Sequence, residues 1–197
     1  MSSREKILSA IKNNQPAFSS LPAIEELGDH QPAGTGLAQK FTNTLQSIGG
    51  DAKIVAGFDE IKQAIGYQFQ DAQRIVSTFN ELSDIAEVYN DGDVINSPEN
   101  IDAAILSAHF GVAENGAVWV TENIMCDRAL PFITQHLVVI INAGTILPDM
   151  HAAYNKIGNK DYGYSIFIAG PSKTADIEQS LVLGAHGPIS MTVFVLE

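Results

Sequence analysis

The sequence predicts a three-layer α/β fold: a mostly parallel sheet with helices on both faces and one β-hairpin. Three observations predict it. Between residues 37 and 88, short β-rich runs alternate with stretches whose apolar residues recur at helical spacing, the pattern of a parallel sheet covered on both sides. His136-Leu-Val-Val-Ile-Ile141 is an unbroken apolar run, which suits a strand buried on both faces. Asn115-Gly116, with Val112, Val118 and Val120 alternating around it, is the preferred pair for a two-residue type I′ hairpin turn.

In chain order, Ser2-Ser-Arg-Glu5 fits a capping box, and Ile7, Leu8 and Ile11 follow as a narrow apolar stripe. A short helix is expected over 4–12. Residues 14–36 hold Pro16, Pro22, Pro32, Gly28, Gly34 and Gly36 with little periodicity and read as an extended connector. The expected organisation is an N-terminal arm over 1–36, its helix docked on this fold or on another subunit, and one domain over 37–197.

Leu37, Phe41, Leu45 and Ile48 recur at helical spacing until Gly49-Gly50 stops the helix. Asp51 to Ala56 is an expected strand. Asp59 is placed to cap the next helix, with Ile61, Ile65 and Phe69 on its inner face; Arg74 to Thr78 is a second strand, and Leu82, Ile85 and Val88 outline a third helix. Beyond residue 100 come a strand over 102–108, the hairpin over 110–122 with Trp119 in the core, and Phe132 as a further core residue. His136, at the edge of its strand, reads as a structural histidine. Met150, Ala153, Tyr154 and Ile157 stripe a last helix ended by Gly158. Two β-rich runs, 164–169 and 191–196, complete the chain.

At 197 residues the chain suits one well-buried domain. Its 45% hydrophobic and 17% charged residues are those of a globular protein. No apolar run approaches the roughly 20 residues that span a bilayer, and Met1-Ser-Ser-Arg-Glu-Lys6 has no apolar signal region, so a soluble, cytoplasmic protein is expected. The net charge is −12, and no Lys or Arg lies between Arg74 and Arg128. Such a field repels phosphodiester backbones, which argues against a nucleic-acid partner. The acids of that interval, from Glu81 to Asp102, read as a solvated face without calcium-loop spacing.

Cys126 is the single cysteine, so the chain has no intramolecular disulfide and too few thiolates for an iron–sulfur cluster of its own. His30, His109, His136, His151 and His186 show no i, i+4 pair, and no metal site is expected.

Polar chemistry concentrates between the last two β-rich runs. The order Gly170-Pro-Ser-Lys-Thr-Ala-Asp-Ile-Glu178 reads as a strand end, a loop and a helix start, capped by Ser172 or Thr174 with Asp176 and Glu178 in the first turn. A helix start of that kind, with Lys173 beside it, offers an anion site; ordinary capping explains the same residues. A P-loop would need glycine where Ser172 stands, and a nucleophile elbow would need glycine where Thr174 stands. Gly34-Thr-Gly36 lacks both the third glycine and the preceding strand of a dinucleotide fingerprint.

The strings Ala169 to Glu178 and Leu181-Val-Leu-Gly-Ala-His-Gly-Pro188 resemble the C-terminal signature of the lactate-utilization protein C family, the LUD domain, with the likeness sharpest from about Val112 onward. The resemblance implies a fold similar to the ribose-phosphate isomerase, glucosamine-phosphate deaminase and CoA-transferase group. It also implies a role in oxidation of L-lactate to pyruvate beside two partner subunits that carry the iron–sulfur clusters, none being bound by this chain.

Glu114, with Asn115 and Gly116, is similar to the motif around the covalent-catalysis glutamate of type I CoA transferases, and a carboxylate is competent to attack a thioester. Arg128 is placed either to clamp an anion or to pair with Asp127, Glu122 or Glu114. His186, between glycines and a proline, is either a general acid or base or a turn residue. The candidate constellation is thus Glu114 and His186 for catalysis, with Arg128, Ser172, Lys173, Thr174 and Asp176 holding a small anion. Two functions compete: an accessory or anion-binding subunit of an iron–sulfur lactate-oxidising system, and a free-standing CoA-transferase-like or sugar-phosphate-type enzyme using Glu114.

Overall fold

The computed structural model describes residues 2–20, 36–90, 93, 95, 100–175 and 181–197. The N-terminal helix α1 (Ser3–Asn13) starts on the expected capping box: the Glu5 N–H donates to Ser2 Oγ, and the Ser2 N–H donates to the Glu5 carboxylate. None of its residues is buried, and Ile7, Leu8 and Ile11 stay exposed. Most of the connector, 21–35, lies outside the described residues.

Six parallel strands form the central sheet in the order β1 (Asp51–Val55), β11 (Ser190–Leu196), β7 (His136–Asn142), β4 (Ala103–Ser107), β2 (Ile75–Ser77) and β3 (Glu87–Val88). Period-two alternation sends β7 to two cores: Leu137, Val139 and Ile141 to one, Val138 and Ile140 to the other. That is why an unbroken apolar run is stable there.

On one face lies helix α3 (Phe58–Gln68), whose Ile61 and Ile65 pack with Phe69 and Leu82 against Ile105, Val138 and Phe194. On the other lie helix α2 (Leu37–Ser47), through Phe41 and Leu45, and a three-stranded antiparallel sheet of β5 (Phe110–Val112), β6 (Ala117–Thr121) and β8 (Ser165–Ile168). Val118 and Val120 face the central sheet. Trp119 faces away, where helix α6 (Met150–Ile157) covers it through Ala153 with Phe167 beside it. Short helices α4 (Glu122–Met125) and α5 (Leu130–Ile133) link β6 to β7. The α/β class and mostly parallel sheet are as the sequence predicts.

Four local expectations are corrected. The hairpin turn holds four residues, 113–116, since Val112 pairs with Ala117; among the described residues Gly116 has positive φ (70°) and Asn115 does not, which excludes type I′. Helix α3 is capped by Gly57 without a side chain, two residues before Asp59, which falls in the first turn. The third helix is a 3₁₀ turn over Asn80–Leu82 followed by β3; a single turn already brings Leu82 and Ile85 to one side. Lastly, Lys173–Ala175 is strand β9, paired antiparallel with β10 (Leu181–Leu183), in place of a helix start.

Candidate functional site

Glu114 sits exposed on the hairpin loop, which is seated on α2 by a 3.0 Å hydrogen bond from Thr44 Oγ1 to the Ala113 carbonyl. A Cβ on Gly116 would lie 3.0 Å from the Leu45 Cα, so only glycine lets the loop lie so close. The Glu114 carboxylate accepts from the Met150 N–H at 2.9 Å, while Asp149 Oδ1 accepts from the Ala152 N–H at 2.8 Å. Both carboxylates thus serve the N-terminus of α6, where negative charge is stabilised.

Arg128 pairs with Glu122, and its guanidinium lies 5.8 Å from the centroid of the Tyr164 ring. Lys173 donates to the Ile48 carbonyl at the C-cap of α2, a place where a cation complements the helix dipole. The strand formed by Lys173–Ala175 removes the helix N-terminus on which an anion site at Ser172, Lys173 and Thr174 was to rest, and Asp176 lies outside the described residues. Ser172 donates its N–H to Pro188 and accepts from the Gly184 N–H. This brings the exposed turn carrying His186 beside it. Among the described residues Glu114, Arg128 and Lys173 share no hydrogen bond or ion pair with one another, and no group of three His, Cys, Asp or Glu is arranged to hold a metal.

Sequence reasoning passed over a different place. Beyond the carboxyl ends of β2, β3 and β4, where ligands of parallel sheets bind, lies a cavity of about 170 Å³ lined by Thr78, Tyr89, Asn90, Ser107, Asn123 and Cys126. Thr78 Oγ1 is sealed from solvent and has no hydrogen-bond partner among the described residues. A hydroxyl left so costs about 1–3 kcal/mol. Cys126 is the one non-glycine residue with positive φ among those described (φ 65°, ψ −52°), a strained γ-turn geometry of a kind that clusters at functional sites. Its thiol donates to the carbonyls of Asn90 and Asp93.

Behind this wall runs a relay. His109 Nε2 lies 2.7 Å from the fully buried Thr121 hydroxyl, which donates to Asn123 Oδ1. Thr121 therefore accepts from His109, fixing the Nε2–H tautomer. Burial, assisted by Lys156, pushes the His109 pKa below its ordinary value, so the ring is neutral at pH 7.

Another cleft, about 300 Å³, is at the amino ends of the strands beside Phe69, Asp102 and His136. Three of its polar side chains, those of Gln68, Asp102 and His136, are engaged within the fold. His136 Nδ1 lies 2.8 Å from Ser190 Oγ, and Asp102 accepts the N–H groups of Gln73 and Arg74. Desolvation lowers the His136 pKa against the opposing charge of Asp102. No helix among the described residues is long and apolar enough to cross a membrane.

The family model described as LUD domain matches residues 83–196. "Lactate utilization protein C" of Anoxybacillus flavithermus is 31% identical over 163 residues, covering 80% of this chain and 70% of that protein. The protein of the same name from Halalkalibacterium halodurans is 25% identical over 205 residues, covering 93% and 88%. A crystal structure of a DUF162 family protein from Deinococcus radiodurans superposes with a TM-score of 0.61 at 17% identity, over 82% of this chain and 96% of that one; it shares the fold.

Proposed function

The chain belongs to the LUD domain family, and on that premise we propose that it serves lactate utilization as an accessory subunit without redox chemistry of its own, beside iron–sulfur proteins that carry the electrons. The observation that carries this reading is the match along 80% of the chain to a relative named for lactate utilization. Cysteine content supports the division of labour. A cluster is held by about four thiolates, and this chain offers only Cys126, so its residues do not fit that group.

Within that reading, the accessory role is favoured over an anion-handling cleft. Lys173 is engaged with the Ile48 carbonyl and Arg128 with Glu122, so neither cation is held ready for a substrate carboxylate. The competing CoA-transferase-like enzyme requires Glu114 as nucleophile. Its carboxylate instead caps α6 through Met150.

An anaerobic native pull-down of the tagged full chain tests the proposal. Co-elution of iron–sulfur absorbance with L-lactate-dependent dye reduction is expected. A colourless, partner-free eluate without that activity overturns it.

A further inference from the structure

We propose that the cavity beyond β2, β3 and β4 binds a small uncharged molecule through a carbonyl or hydroxyl oxygen, with Cys126 on its wall. Three observations carry it. First, among the described residues none that lines the cavity bears a charge: these are Thr78, Tyr89, Asn90, Ser107, Asn123, Ile124 and Cys126. Arg74, which donates to the hydroxyl of the lining Tyr89, is paired with Glu87, so an anion entering the cavity would meet no cation among the described residues that line it.

Second, the hydrogen-bonding sense is set from behind. Asn123 Oδ1 is taken by the Thr121 hydroxyl, which leaves the two Nδ2–H donors of Asn123 for an acceptor elsewhere. Thr78 and Ser107 line the same space; the Thr78 hydroxyl, without a partner among the described residues, needs only a turn about χ1 to reach it, and either hydroxyl can donate or accept. Third, the volume of about 170 Å³ is that of roughly five or six waters, which suits a molecule of three or four carbons. This site is independent of the lactate-utilization reading, since it would fill whether or not the chain joins a complex.

The single cysteine makes the test site-specific, because Cys126 is the only thiol in the full chain. The rate of its alkylation by N-ethylmaleimide is measured with hydroxyacetone, propane-1,2-diol or acetamide as uncharged probes, and with pyruvate and L-lactate as charged ones. Expected is a saturable, several-fold slowing by at least one uncharged probe, and little or none by the anions at equal concentration. Thr78→Val and Asn123→Leu are expected to remove the protection without changing the circular dichroism, and Thr78→Ser to retain it. Should either of the first two fail to fold, Thr78→Ser and Ser107→Ala are read by titration of probe-induced amide shifts in nuclear magnetic resonance. Absence of protection by every uncharged probe, protection that survives the Thr78 and Asn123 changes, or stronger protection by pyruvate or lactate overturns the proposal. None of these outcomes depends on the pull-down, so the two readings fail separately.

Discussion

The carboxylate of Glu114 accepts the main-chain N–H of Met150 across 36 residues of sequence, at 2.9 Å. A hairpin loop thereby caps the helix that covers the outer face of its own sheet. Glu114→Ala is expected to destabilise the fold by about 1 kcal/mol, and Glu114→Gln by about 0.3–1 kcal/mol through loss of charge at the helix start. Urea unfolding with unchanged m-value checks both. A glutamyl thioester trapped by borohydride after incubation with acyl-CoA would instead assign the residue to covalent chemistry.

Gly116 combines φ of 70° with a Cβ position 3.0 Å from the Leu45 Cα. Gly116→Ala meets both the left-handed penalty and a backbone clash, and an expected loss of about 2 kcal/mol or more follows. Gly66→Ala, on a helix where the added Cβ meets nothing within 4 Å, is expected to be stabilising by about 0.5–1 kcal/mol. Thermal unfolding of the pair separates the two effects.

Lys173 lies exposed against the end of α2. Lys173→Met is expected to cost about 0.3–1 kcal/mol at low ionic strength, and less in high salt. Denaturant midpoints at two salt concentrations measure this. A salt-independent effect would disconnect the residue from the helix dipole.

His109 and His136 both have pKa values lowered by burial. The unfolded chain therefore binds more protons than the folded one between the ordinary value of about 6.5 and the lower folded values. Stability from these rings is fully present above about pH 6.5 and declines as pH falls through that window. His136→Gln and His109→Gln are each expected to flatten the slope of unfolding free energy against pH below 6.5. An unchanged slope in both variants would contradict the assignment.

Much of the architecture was legible because local and global signals agree. The capping box at Ser2 and Glu5, the stripe Leu37-Phe41-Leu45 and the apolar run at His136 to Ile141 each satisfy propensity and packing together. Two errors came from signals that serve more than one structure. Leu82 and Ile85 at i, i+3 suit one 3₁₀ turn as well as a helix, and the Ser-Lys-Thr stretch at 172–174 suits a hairpin as well as a cap. The partner of Lys173 is 125 residues away, beyond any spacing rule. The cavity was hidden for the same reason: Thr78, Tyr89, Ser107 and Cys126 come from separate crossovers and meet only in the folded sheet. The positive φ of Cys126 has no sequence signature, since neither glycine nor asparagine marks it.

Strand β11 is last along the chain, yet it lies between β1 and β7. On the ribosome, the first strand of the sheet therefore has no strand neighbour until synthesis has passed Ser190. At about 5–20 residues per second, that wait is on the order of ten seconds. During it, the bare flank of β7 and the apolar face of α2 are open to holdase chaperones, and the native sheet closes only once β11 has arrived.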